Sequence, residues 1–237
     1  MNEYILFAKH IKKRYGKHTV LNDVSFRVKK GEIYGLVGKN GSGKTTIFRI
    51  LTGLIHDYCG EVSITNVENR KTRISAVIDS PSVYLNMNAF ENMKAQCFLL
   101  GIRGNTHINQ MLRKIGLSEH NKQPIKNYSL GMTQRLKLGM ALLANPDVLI
   151  LDEPANGLDP DGIVELRELL LHLNRSNGIT IIVSSHILSE LAQIVTCLGV
   201  LYGGKIVKEV TNSEILQDGL QLEKLYMEYT RGGGSNE

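Results

Sequence analysis

The chain has 237 residues, of which 42% are hydrophobic and 22% charged, a composition that excludes a disordered or fibrous protein. The formal net charge is +5, but the basic residues are scattered apart from one small cluster, so no nucleic-acid partner is expected. No run approaches the roughly 20 apolar residues of a membrane-spanning helix and the N-terminus lacks a secretory pattern, which together predict a cytoplasmic protein.

The first third of the chain reads mainly as strands. Residues of about 3–28 alternate apolar and polar side chains, which predicts antiparallel strands. An apolar strand over 32–37 leads into a glycine-rich turn, and apolar residues at helical spacing predict a helix over 44–54. Two more strands are predicted at about 60–65 and 73–78.

The middle of the chain changes to helical patterns. Residues of about 86–144 read as successive helices separated by glycines and a proline. Strands and helices then alternate again, which indicates an α/β core with a helical insert. The predicted later elements are strands at 148–151, 179–184, 198–202 and 205–210, and helices at 161–173, 187–195 and 212–229.

These patterns predict one domain over residues 1–230. Its core comprises about 1–85 and 145–210, its helical subdomain about 86–144, and its C-terminal helices about 212–229. The last residues, 231–237, are expected to form a flexible tail.

Residues 38–45 read GKNGSGKT, the pattern of a phosphate-binding loop. Backbone amides and the N-terminus of the following helix are expected to surround the phosphates. Lys44 should reach the β- and γ-phosphates, and the Thr45 hydroxyl should bind Mg²⁺. The predicted ATP-contacting residues of the loop are Gly38, Lys39, Asn40, Gly41, Ser42, Gly43, Lys44, Thr45 and Thr46.

Residues 148–153 read VLILDE, a buried strand followed by two acids. Ligands of open α/β sheets bind at the carboxyl ends of strands. Asp152 is therefore expected to support Mg²⁺, and Glu153 to polarise the water that attacks the γ-phosphate.

Further motifs follow in a fixed order: YSLGMTQR at 128–135, NGLDP at 156–160, and His186 after ITIIVSS. Together with GKNGSGKT and VLILDE, they resemble the ATP-binding cassette family over nearly the whole chain. The resemblance implies an ATPase with an α/β fold: a P-loop NTPase (RecA-like) core, an antiparallel β subdomain and an inserted α-helical subdomain.

The resemblance also implies roles for single residues. Tyr15, 23 positions before Gly38, would stack on adenine, although packing at a strand edge is an alternative. Ser129 and Gly131 would hold the γ-phosphate bound by a second copy; the alternative is that Ser129 is an ordinary helix cap without a ligand. Asp159 would couple the two ATP sites, or simply begin a helix with Pro160. His186 would contact the γ-phosphate.

Three positions depart from the family pattern. Leu130 and Met132 differ from the usual signature, and Asp79 stands where most members carry a glutamine near Mg²⁺. A carboxylate can accept a hydrogen bond from metal-bound water but cannot donate one, and Asp79 adds negative charge near Asp152. Asp79 is therefore a candidate site residue but not an expected metal ligand.

Asp79, the YSLGM motif and the ending LEKLYMEYT look like one branch of the family, the ATPases of bacitracin-resistance and lantibiotic-immunity exporters. This implies a head-to-tail homodimer that sandwiches ATP, works with a separate integral membrane permease and lies on the inner face of the cell membrane. The alternative is a cytosolic cassette ATPase that drives assembly of iron–sulfur clusters.

Overall fold

The structure is a computed structural model that describes residues 3–68, 70–79, 83–118 and 122–215. The strands are β1 (Tyr4–Tyr15), β2 (His18–Lys29), β3 (Ile33–Val37), β4 (Cys59–Ile64), β5 (Ile74–Val77), β6 (Val148–Leu151), β7 (Thr180–Ser185), β8 (Cys197–Tyr202) and β9 (Lys205–Thr211). The α-helices are α1 (Lys44–Leu51), α2 (Ala89–Leu99), α3 (Thr106–Lys114), α4 (Leu130–Leu142), α5 (Pro160–Asn177) and α6 (Leu188–Leu191), with a short 3₁₀-helix at Ile125–Asn127.

A six-stranded sheet in the order β5-β6-β7-β3-β8-β9 forms the centre of the fold. All neighbouring strands are parallel except β8 and β9. Every residue of β3, β6 and β7 is buried, as expected for strands covered on both faces. The register places Val77 opposite Leu151, and Val37 opposite Ser185. The segments that follow β3, β5, β6 and β7 therefore leave the sheet at one edge.

A second, antiparallel sheet in the order β2-β1-β4 packs on the first through a shared apolar core. That core joins residues of β1 and β2, such as Leu6 and Leu21, to Phe48 of α1. The helices α2, α3 and α4 enclose a separate core that includes Met93, Leu112 and Leu136. This arrangement confirms the predicted fold class.

Several element ends differ from the sequence prediction. Helix α1 stops at Leu51 rather than at 54, because Gly53 takes a left-handed conformation (φ 72°). Helix α5 is longer than the predicted 161–173: it begins at Pro160 after the Asp159 cap and ends at Asn177, where Gly178 (φ 64°) caps it.

The helix predicted over 187–195 is wrong in extent, since α6 ends at Leu191. The backbone N–H groups of Ile194 and Val195 both donate to the Leu191 carbonyl, which closes the turn before β8. Residues 212–215 are helical, and the rest of the predicted C-terminal helices and the tail lie outside the described residues. No helix in the described ranges combines the length and apolar character needed to cross a bilayer.

Candidate functional site

The predicted phosphate-binding loop joins β3 to α1. Gly43 caps α1 with φ 109°, a conformation that disfavours any residue with a side chain. Gly38 is required by close approach, because a side-chain carbon there would lie 2.6 Å from the Oγ of Ser42. The backbone thus curls tightly in front of the α1 N-terminus, where peptide dipoles favour an anion.

Lys44 lies inside this loop with its side chain only 4% exposed. Its Nζ donates to the carbonyls of Gly38 at 2.6 Å and Lys39 at 3.1 Å. The same Nζ lies 3.1 Å from Oε1 of Glu153. The lysine therefore links the phosphate loop to the second predicted acid, and its ammonium is placed where a phosphate held by the loop would meet it.

Asp152 leaves β6 beside the phosphate loop. Its Oδ2 accepts a hydrogen bond from Thr45 Oγ1 at 2.5 Å, and its Oδ1 accepts one from Ser184 Oγ at 2.6 Å. Ser184 is fully buried, and its Oγ also accepts from the Glu153 N–H at 2.9 Å. One hydroxyl therefore fixes both acids relative to each other.

Glu153 has a left-handed backbone (φ 46°), which is uncommon for a residue other than glycine. Its Oε2 lies 2.8 Å from Nδ1 of His186. Burial alone would raise the pKa of Glu153, but hydrogen bonds from Lys44 and His186, together with their charges, hold that pKa below its usual value. The carboxylate is thus anionic at neutral pH and able to accept a hydrogen bond from water.

The loop residues fit a nucleotide with a magnesium ion. The Oγ of Ser42 is buried and has no hydrogen-bond partner in the described part of the chain. A buried polar atom of this kind is expected where a ligand supplies the partner. The paired oxygens of Thr45 and Asp152 are hard ligands of the kind that Mg²⁺ prefers. Among the described residues, no three His, Cys, Asp or Glu side chains are arranged to hold a metal ion by themselves.

Tyr15 ends β1 and is 46% exposed, so one ring surface is available to a planar ligand. Lys13 lies with its Nζ 4.9 Å from the centre of this ring. The same Nζ donates to the carbonyl of Asp57 at 2.5 Å and to its carboxylate at 3.0 Å. A buried cation thus supports the tyrosine.

The signature and NGLDP segments lie next to each other at two helix N-termini. Ser129 caps α4 by accepting from the Met132 N–H at 3.2 Å, and Asp159 caps α5 by accepting from the Gly162 N–H at 3.0 Å. A side-chain carbon at Gly157 would lie 2.8 Å from Cδ2 of Leu130. The hydrogen bonds of Ser129 are all to residues of α4. In a single copy of the chain, Ser129 therefore acts as a helix cap.

Asp79 follows β5 in a left-handed conformation (φ 58°). Its Oδ2 lies 2.6 Å from Nη2 and 3.2 Å from Nε of Arg49 in α1. The negative charge that Asp79 adds near Asp152 is therefore paired with the guanidinium of Arg49, a contact that the sequence did not predict.

Sequence reasoning missed Ser184, Arg49 and Lys13. Ser184 reads as one more residue of an apolar strand, although its position before His186 was a usable signal. Arg49 reads as an exposed polar residue of an amphipathic helix, and Lys13 as part of a solvated basic cluster. Only the fold brings these three residues to the site.

Comparison with known proteins agrees with the geometry. Residues 21–156 match the family described as ABC transporter. The lantibiotic transport ATP-binding protein SrtF of Streptococcus pyogenes is 44% identical over 219 residues, covering 90% of this chain and 95% of that protein. The bacitracin transport ATP-binding protein BcrA of Enterococcus faecalis is 38% identical over 219 residues, covering 90% of this chain and 71% of that protein.

Solved structures share the fold. A nucleotide-free ATP-binding cassette from an ABC transporter superposes with a TM-score of 0.81 at 24% identity, covering 92% of this chain and 95% of that one. The ATP-binding subunit of an ABC transporter gives a TM-score of 0.78 at 28% identity, covering 95% and 99% of the two chains.

Proposed function

We propose that this chain, which belongs to the ABC transporter family, hydrolyses ATP to energise export of a peptide antibiotic through a separate membrane permease. Binding and hydrolysis of ATP follow from the family. The substrate class is supported by the names of two relatives, a lantibiotic transport protein and a bacitracin transport protein. These relatives favour transport over the assembly of iron–sulfur clusters.

The observation that carries the hydrolytic role is the chain of contacts from Lys44 through Glu153 to His186. The phosphate loop and the α1 N-terminus bind the triphosphate, and Tyr15 stacks on the base. Glu153 accepts a hydrogen bond from the attacking water and orients it, while His186 holds the carboxylate. Thr45 and Asp152 hold Mg²⁺, which neutralises charge on the phosphates.

The proposed assembly is a head-to-tail homodimer. Ser129 and Gly131 begin a 13-residue helix whose N-terminus attracts anions. We place this helix end against the γ-phosphate held by the second copy, with Asp159 beside it at the interface. ATP then stabilises the closed dimer because it binds both copies, and loss of the γ-phosphate loosens it.

Family members in transporters work with membrane permeases, and we propose the same here, with the chain docked on the inner face of the cell membrane. A tagged chain recovered from detergent-solubilised membranes should bring a multispanning protein with it. A deletion strain should become sensitive to bacitracin or to a lantibiotic. Recovery of a soluble assembly scaffold instead, with unchanged sensitivity, would reject the transport role.

The nucleotide site is tested by Lys44→Ala, which should abolish ATP binding because it removes the buried cation of the loop. The control is Lys114→Ala, which alters an exposed lysine that donates to Asn177 at 2.8 Å. Lys114 lines a cavity with Asp147, the residue just before β6, at the opposite end of the strands. The control should bind ATP normally, and normal binding by Lys44→Ala would refute the site.

A further inference from the structure

The pair of Arg49 and Asp79 links two parts of the fold that the sequence keeps apart. Arg49 lies on α1, five residues after Lys44 in the chain. Asp79 lies at the end of β5, on the connection that leads to α2 and the helical subdomain. Two N–H groups of one guanidinium converge on one carboxylate oxygen, at 2.6 and 3.2 Å.

Asp79 follows β5 at the same edge of the sheet at which Asp152 and Glu153 follow β6. Val77 pairs with Leu151, and the Asp152 N–H donates to the Val77 carbonyl at 2.9 Å. Three acidic residues therefore follow strands at the edge where a triphosphate is proposed to bind. Each like charge at this edge opposes binding of an anion.

Cations offset two of these three charges. Lys44 contacts Glu153, and Arg49 contacts Asp79. The pKa of Arg49 is raised, mainly by its hydrogen bond to Asp79 and to a smaller extent by the charge of Asp152. Arg49 is therefore a permanent positive charge held against Asp79.

We infer that Arg49 is a positioning residue for nucleotide binding: it holds the Asp79 carboxylate against α1 and cancels its charge, so that Asp79 does not join Asp152 as a second free carboxylate facing the triphosphate. The inference rests on the proposed placement of ATP at the phosphate loop. The side chains of Arg49 and Asp79 are 40% and 54% exposed, and ion pairs so open to solvent contribute little to folding stability. The pair is better explained by its effect on the ligand.

The test is a double-mutant cycle in the full chain, read by titration with a fluorescent ATP analogue and by KM and kcat. Arg49→Met leaves Asp79 unpaired and should weaken ATP binding on the order of fivefold, the effect of one unit charge about 10 Å away in a partly solvated site. KM should rise by the same factor, and the effect should shrink at high salt. Asp79→Asn leaves a free cation and should not weaken binding.

The double variant should bind ATP within about twofold of the unaltered chain, because both charges are absent. A pair that only supports the fold would instead lower thermal stability in each single variant without moving ATP affinity. Unchanged affinity in Arg49→Met, or a double variant as weak as Arg49→Met, would overturn the inference.

Arg70→Met is the matched control. Arg70 is also 40% exposed and pairs with Asp147 at 2.7 Å, but Asp147 precedes β6 and thus lies at the opposite end of the strands. Its ATP affinity should not change. Lys44→Ala separates the two hypotheses: if it binds ATP normally, the proposed site fails, whereas if it loses binding while Arg49→Met binds normally, only the role of Arg49 fails.

Discussion

Ser184→Ala tests whether one buried hydroxyl positions both acids. The hydroxyl donates to Asp152 at 2.6 Å and accepts from the Glu153 N–H at 2.9 Å. A buried bond to a carboxylate contributes about 2 kcal/mol and a bond to a backbone amide about 1 kcal/mol. Losing both should destabilise the fold by about 3 kcal/mol, which corresponds to a fall in Tm of roughly 6–12 °C for a chain of this size.

The effect on activity should be larger than the effect on affinity. The bond to Ser184 holds the backbone of Glu153 in its left-handed conformation, and a shift of about 1 Å in a catalytic group costs on the order of a hundredfold in rate. We expect kcat for ATP hydrolysis to fall about ten- to a hundredfold. KM should change less than about twofold, because the phosphate loop is untouched.

Thr180→Val provides a control on the same strand. Thr180 is also fully buried, and its Oγ1 accepts from the Gly31 N–H at 2.9 Å, but it begins β7 and Ser184 lies near its end. The substitution should lower the free energy of unfolding by about 1 kcal/mol and leave kcat for ATP hydrolysis unchanged. Urea unfolding and steady-state hydrolysis below the transition temperature measure both quantities. A normal kcat in Ser184→Ala, despite lost stability, would refute the reasoning.

Three other changes test separate parts of the molecule. Glu153→Gln should keep ATP binding but reduce turnover by about 10²–10⁴-fold and trap an ATP-bound dimer on a sizing column; normal phosphate release would place the base elsewhere. Ser129→Ala should impair ATP-dependent dimerisation more than nucleotide binding by the monomer, and equal loss of both would contradict a shared site. Arg70, helped by Arg73, lowers the pKa of Asp147 to about 2, so this carboxylate stabilises the fold above pH 3.8 and loses that effect as the pH falls through 2. Asp147→Asn should therefore lower the free energy of unfolding by about 2 kcal/mol at pH 7 and make stability depend less on pH in acid. An unchanged dependence of stability on pH would mean that the ion pair does not contribute to folding stability.

The sequence predicts the fold class and the strands of the parallel core because β3 and β6 are apolar runs and β7 contains an apolar run over 181–183. GKNGSGKT and VLILDE likewise predict a phosphate-binding loop and a pair of acids at the end of a strand, since phosphate and metal binding require those residue types in that order. The roles of the individual site residues stay predictions, those of Lys44, Thr45, Asp79, Asp152 and Glu153 as much as those of Tyr15, Ser129, Gly131, Asp159 and His186.

Other features depend on tertiary contacts that no local pattern encodes. Arg49 and Asp79 are 30 residues apart in the chain, and only the pairing of β5 with β6 brings Asp79 beside α1. Ser184 is one of two serines that end β7, and the local pattern does not indicate its partners. The early end of α6 results from the closing turn at Leu191 and the start of β8, which override an apolar pattern that continues to 195.

The common edge at which β3, β5, β6 and β7 end has a consequence for how the chain tolerates insertions and deletions. Side chains alternate between the two faces of a strand. One residue added within β6 would therefore turn each of Asp152 and Glu153 to the other face and would misalign the buried contacts of the strand. The same insertion in the exposed turn at Gly101–Gly104 would meet no such restriction. Change in chain length among relatives should therefore be absent from these strands and concentrated in such turns.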